Sequence, residues 1–147
     1  ARLVEVAKEC MELGIEAALE KLVHDYRGGD APEITLSCRI EGTLSDVESL
    51  AVYRIVQECL TNIIRHAGAT RALVRLDVGE RITLWVKDNG VGITGERMRA
   101  ARRENHMGIY GIEERVRLLA GRMEIGSEPP DWATVYRIEF RTKGART

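Results

Sequence analysis

Three short polar clusters carry the residues of this chain that can do chemistry. They are Glu58-x-x-x-Asn62-x-x-Arg65-His66, then Asp88-Asn89-Gly90-Val91-Gly92, then Gly108-Ile109-Tyr110-Gly111. The carboxamide of Asn62 offers a neutral oxygen to a hard cation such as Mg2+, which keeps several waters and shares substrate phosphates. Glu58, one helical turn earlier, can orient or deprotonate a group beside such an ion. Asp88 ends an alternating apolar run and can accept a hydrogen bond from an exocyclic amine such as that of adenine. Gly90 and Gly92 lack a Cβ, so a base and the backbone can approach closely. Backbone N–H groups where Gly108 and Gly111 open a helix make an anion site. Together the clusters compose a Mg-ATP site.

Each cluster taken alone has a plainer reading. A charged helix face is usually just solvated, Asp-Asn-Gly is turn chemistry, and Gly-x-x-Gly without a following Lys-Ser/Thr is no Walker loop. Asn62 is the member that a solvated face does not need. It is a mediocre helix former placed mid-helix, where Lys, Gln or Glu would serve better.

The elements that must position these groups follow from the apolar periodicity. Val52, Ile55, Val56, Cys59, Leu60, Ile63, Ile64 and Ala67 form a 3-4-3-4 stripe that predicts a helix over Val47–Ala67. Ser45 or Asp46 caps it, Glu48 stands in its first turn and Gly68 stops it. Glu58, Asn62 and His66 then stack in one row on the opposite face, with Arg54 a turn earlier and Arg65 beside them. Period-2 alternation predicts strands over 33–41, 71–78 and 81–87, the last two joined by a short Gly79-Glu80 link. Two more strands, 122–126 and 134–141, flank the turn-forming Glu128-Pro-Pro-Asp131. Amphipathic helices are predicted from Leu13 to Tyr26 and through the stripe Ile112, Val116, Leu119, Ala120. About five strands and three helices, with no βαβ alternation and the helices on one face, make an α+β two-layer sandwich.

Composition narrows the class. The 147 residues suit a single domain over 1–147, and a net charge of −1 argues against general nucleic-acid binding. No apolar run reaches membrane-spanning length, so neither a membrane contact nor a secreted route is expected, and the domain is expected to be cytoplasmic. The three cysteines, Cys10, Cys38 and Cys59, are odd in number without metal-ligand spacing, which predicts reduced thiols. His24-Asp25 reads as a helix-terminal histidine at the negative end of the dipole. The abrupt start before Leu13-Gly14 reads as that of an excised fragment.

The order Glu-x-x-x-Asn-x-x-Arg-His, Asp-x-Gly-x-Gly, Gly-x-x-Gly resembles the N, G1 and G2 boxes of the GHKL ATPase superfamily. The stretches Tyr53–Ala67 and Gly108–Val116 narrow the resemblance to the catalytic domain of a bacterial sensor histidine kinase, of the branch that includes nitrate sensors and degradative-enzyme regulators. The resemblance implies the Bergerat fold, with a mostly antiparallel mixed sheet, and ATP and Mg2+ as cofactors. It implies that Asn62 holds Mg2+, that Arg65 and His66 lie near the phosphates, and that Asp88 with Gly90 and Gly92 receives adenine. Gly108 and Gly111 would order an ATP lid over 93–107. Thr134 would sit near adenine, although Ala133-Thr134 stands where relatives commonly have Gly-Thr.

Glu58 would assist transfer of the γ-phosphate to a histidine on a dimerisation domain, of which residues 1–14 would be the tail-end linker. A response regulator would follow downstream, and the full-length kinase would be a homodimer. The fragment alone is then not expected to autophosphorylate. A stand-alone serine kinase of anti-sigma type, a chaperone or DNA-repair ATPase, and a non-catalytic nucleotide-binding interaction module are the alternatives.

Overall fold

In the computed structural model, residues 2–92 and 109–141 are described. They form α1 (Arg2–Asp25), β1 (Glu33–Ile40), α2 (Asp46–Asn62), a π-helical turn (Ile63–Ala67), β2 (Arg71–Val78), β3 (Arg81–Asp88), α3 (Ile109–Leu118), β4 (Arg122–Glu128) and β5 (Trp132–Arg141). One sheet runs β1-β2-β3-β5-β4. β1 and β2 are parallel and the remaining pairs antiparallel. The parallel pair needs a crossover, which α2 supplies. The chain therefore contains one βαβ unit that the strand pattern did not reveal, within an otherwise α+β sandwich.

Antiparallel register aligns the apolar parity of neighbouring strands. Val74 pairs with Val86, Leu76 with Leu84 and Leu84 with Ile138, and all five have no exposed surface. The helices cover this face. The other face is open to water and carries arginines stacked on tryptophans, Arg75 over Trp85 at 5.2 Å and Arg71 over Trp132 at 5.4 Å.

α2 starts with a capping box. The Ser45 hydroxyl accepts from the Glu48 N–H (3.1 Å), and the Glu48 carboxylate accepts from the Ser45 N–H (2.8 Å). Ser45 is thus the cap, not Asp46. Val52, Ile55, Val56, Cys59 and Leu60 are completely buried. The expected α-helix to Ala67 stops short, because 63–67 close as a π turn before Gly68. Fitting an extra residue into that turn rotates Ile64 off the core stripe, and it is 40 % exposed.

α1 begins earlier than Leu13, and it is kinked at Gly14 (φ 83°, ψ 162°), a conformation open to glycine alone. Past the kink, Leu19, Leu22 and Val23 enter the core. Tyr26, just after α1, places its hydroxyl 2.9 Å from Thr61 Oγ1, which itself donates to the Gln57 carbonyl at 2.8 Å. His24 stands in the last turn of α1, as expected. Cys38 and Cys59 are free thiols. Burial, then Glu16, Glu20 and Asp77, push Cys38 up to about 11, which leaves it unreactive at neutral pH.

α3 ends in a Schellman motif. The Gly121 N–H donates to the Val116 carbonyl and the Ala120 N–H to the Arg117 carbonyl, both at 2.9 Å. Ala120, expected on the buried stripe, is instead exposed beyond the helix with φ 54°. It turns out because Gly121 must press against β5, where a Cβ would lie 2.8 Å from the Glu139 carbonyl oxygen. A left-handed alanine costs about 1–2 kcal/mol, part of which glycine returns as extra unfolded-state entropy. Ala120→Gly is therefore expected to stabilise the domain by about 0.5–1 kcal/mol, read as a rise in the urea midpoint at constant m-value.

Candidate functional site

The C-terminal half of α2 meets α3 over a small polar contact. Glu58, its side chain 13 % exposed, accepts through Oε1 from Arg115 Nε at 3.0 Å. Its other oxygen, Oε2, is buried without a partner. Gly111 faces that oxygen so closely that a Cβ there would lie 3.1 Å away. Burial raises the Glu58 carboxyl above its ordinary value, while the hydrogen bond and charge of Arg115 and the charge of Arg54 oppose it.

One turn on, Asn62 Nδ2 is likewise buried with no partner. Amide nitrogen and oxygen are interchangeable by rotation, so Asn62 can present either to a ligand. Leaving such an atom unpaired costs about 1–3 kcal/mol, and folded proteins contain few. Two of them one turn apart, both on the polar side of α2, fit a partner that arrives from outside the chain. A carboxamide oxygen next to a carboxylate suits an oxygen-preferring cation. No cluster of three or more His, Cys, Asp or Glu that could hold a metal by itself occurs among the described residues. Any cation here would depend on its ligand's oxygens as well as the protein's.

The second wall comes from the sheet. Asp88, the last residue of β3, lies opposite Ala72 on β2 and Thr134 on β5. Asp88 and Thr134 are each only 2 % exposed, so the register brings these two predicted residues together. Asp88 Oδ1 accepts from the Gly90 N–H at 2.9 Å. Burial raises the Asp88 carboxyl and the Gly90 bond partly offsets this. Gly92 (φ 80°) lies against Ala133, whose carbonyl oxygen would be 3.5 Å from a Cβ on that glycine. Ala133 is therefore accommodated at ordinary van der Waals distance beside the glycine turn.

Asn89, to which the sequence pattern gave no role beyond turn chemistry, fastens this turn. Its Oδ1 accepts from the Thr70 and Arg71 N–H groups, each at 2.9 Å, and its Nδ2 donates to Thr70 Oγ1 at 2.9 Å. The only local signal is the turn preference of Asn itself. Arg115 was also missed, since nothing in local spacing joins it to a glutamate 57 positions away.

Arg65 sits exposed on the π turn, whose spacing departs from the α-helical one on which the row Glu58, Asn62, His66 was expected. The side chain of His66, Gly108 and the predicted lid 93–107 lie outside the described residues. A separate groove of ≈ 640 Å³ between α1 and β1, lined by Glu16, Glu20, Arg27 and Glu33 among others, includes none of the site residues.

The profile of the histidine kinase-, DNA gyrase B- and HSP90-like ATPases matches residues 47–144, a span that includes every site residue named above. The chain belongs to this ATPase family. It is 37 % identical over 116 residues to the sensor histidine kinase ComP of Bacillus subtilis, covering 78 % of this chain and 15 % of that protein. It is 42 % identical over 71 residues to the sensor histidine kinase NarS of Mycobacterium tuberculosis, covering 48 % and 17 %. It is 33 % identical over 87 residues to the histidine-protein kinase/phosphatase DegS of Brevibacillus brevis, covering 58 % and 22 %. The chain thus spans less than a quarter of each of these relatives.

Two solved structures share the fold. The ATP-binding domain of PrrB from Mycobacterium tuberculosis has TM-score 0.61 at 20 % identity, over 84 % of this chain and 89 % of that one. The histidine kinase domain of the Escherichia coli osmosensor EnvZ has TM-score 0.63 at 18 % identity, over 88 % and 86 %. The chain is an ATP-binding domain of the kind that sensor histidine kinases carry.

The raised carboxyl of Asp88 has a consequence for stability. Between the unfolded and folded values the native state binds more protons than the unfolded one, so stability falls as pH rises through that window. Asn at this position keeps the oxygen that accepts from Gly90 but carries no charge. Asp88→Asn is expected to melt higher than wild type at pH 7–8 (roughly neutral conditions), with the gap closing on acidification through the carboxylate range, as thermal melts along a pH series would reveal.

Proposed function

We propose that this chain binds Mg-ATP and supplies the γ-phosphate to a histidine on a separate dimerisation and phospho-acceptor domain of a bacterial two-component sensor kinase. The observation that carries this reading is the pair of buried, unpartnered polar atoms one turn apart on α2, Glu58 Oε2, which Gly111 faces, and Asn62 Nδ2. Family membership and the sensor kinases among its relatives support it.

Asp88 accepts a hydrogen bond from the adenine amine, with Thr134 beside it at the floor and Gly90 and Gly92 leaving room for the ring. Asn62 would hold Mg2+ through its carboxamide oxygen, and the ion would supply charge neutralisation for the phosphates. Arg65, His66, Gly108 and Gly111 are assigned to the phosphate chain. Glu58, with one oxygen presented, takes the proton of the incoming histidine or orients it. Phosphoryl transfer depends on positioning and charge neutralisation more than on covalent chemistry, which suits so few groups. The phosphorylated histidine then passes its group to a response regulator, and the whole kinase works as a homodimer. ATP as substrate puts the domain on the cytoplasmic side.

Calorimetric titration of Mg-ATP into the chain tests this. A hydrogen bond to a charged group contributes about 1.5–3 kcal/mol, so Asp88→Ala is expected to weaken binding about ten- to a hundredfold. Asn62→Ala is expected to weaken it too and to remove most of its Mg2+ dependence. Incubation with ATP should leave no acid-labile phosphate on this chain alone. Absence of binding by folded wild-type protein would reduce the domain to an interaction module, and stoichiometric self-phosphorylation would place the acceptor within it.

A further inference from the structure

We infer that Arg115 is the positioning residue for Glu58, holding one carboxylate oxygen so that the other is presented to the reacting groups; this role rests on the phosphoryl-transfer reading above. Gly111 and Arg115 are one turn apart on α3 and both meet Glu58. Gly111 gives the carboxylate room, and Arg115 gives it a fixed donor. Contact through Nε at 3.0 Å engages Oε1 and leaves Oε2 buried and unpaired on the Gly111 side. An arginine whose only purpose was to satisfy the carboxylate would do better as a two-pronged fork engaging both oxygens.

Among the described residues, Arg115 alone donates a hydrogen bond to the Glu58 carboxylate. Its own helix contributes Arg54 as a charge, and Arg54 Nη1 is already engaged with Gln57 at 3.1 Å. Burial alone drives Glu58 towards its neutral form, in which it can accept no proton, and Arg115 opposes that from α3. α3 itself is fixed in the core by Ile112 and Val116, at most 2 % exposed, so the guanidinium has a firm base. The plain alternative is an ion pair that merely ties two helices. Arg115 is 36 % exposed but Glu58 only 13 %, so removing Arg115 also costs stability, and kinetic readouts separate the two roles.

The test compares Arg115→Gln, Arg115→Lys, Glu58→Gln and the double variant Glu58→Gln/Arg115→Gln in the full-length kinase, following phosphohistidine formation against ATP concentration. A misplaced reacting group costs up to about a hundredfold, so Arg115→Gln is expected to lower kcat about 10–100-fold with KM for ATP within about twofold. Arg115→Lys keeps a donor within reach and recovers part of the rate. In the Glu58→Gln background, Arg115→Gln is expected to cost nothing further.

An equal loss in both backgrounds would overturn the inference, as would an unchanged kcat. A raised KM at unchanged kcat would make Arg115 a nucleotide contact instead. Should Arg115→Gln fail to fold by circular dichroism, Arg115→Lys in the two backgrounds is decisive. A kcat loss confined to the Glu58-containing protein supports the role, and a loss in both, or in neither, refutes it. Absence of phosphohistidine in the wild type would instead overturn the proposed function.

Discussion

Val52, Ile55, Val56, Cys59 and Leu60 on α2 have no exposed surface, and this buried stripe is the constraint on which the site depends. Burying one such aliphatic side chain contributes about 1.5–3 kcal/mol, against about 1–3 kcal/mol lost for each unpaired polar atom. The apolar face therefore holds α2 against the sheet firmly enough that Glu58 and Asn62, on its polar side, can keep atoms without partners. The same burial sets the depth at which α3 approaches, and with it the reach of Arg115. A helix held less firmly would rotate those polar groups to water.

The second fixed point is strand register. Asp88 and Thr134 face each other because β3 and β5 pair antiparallel with Val86 opposite Tyr136 and Leu84 opposite Ile138. A slip of β5 by one residue would turn Thr134 to the open face and part it from Asp88. Asn89 ties the turn that follows to the start of β2, so Asp88 is held from both sides of its strand. On the proposed reading, base recognition falls to the sheet end and phosphate binding to the helix ends.

Much of this was legible in the residues. Helix and strand periods located most described elements within a few positions, although α1 starts at Arg2 and not at Leu13, and the Ser45–Glu48 capping box is visible as a four-residue motif. Asn62 stood out because its type is wrong for a solvated helix face. Long-range geometry was not legible. Ile63, Ile64 and Ala67 continue an α-helical stripe in sequence, yet packing at the end of α2 converts them to a π turn. Ala120 fits the stripe of α3 but is turned out by the close approach of Gly121 to β5. The Arg115–Glu58 pair joins two helices distant in sequence, and β1–α2–β2 closes as a parallel unit that the surrounding strands disguise.

Paramagnetic Mn2+ in place of Mg2+, added with ATP and followed by NMR, tests the central claim most directly. Broadening falls steeply with distance from the ion, so it reports which side chains surround the metal. The account predicts that the Asn62 side-chain amide is lost first, with Glu58 close behind and Asp88 affected later. Selective broadening around Glu16, Glu20 and Glu33 in the groove between α1 and β1, with Asn62 unaffected, would contradict it.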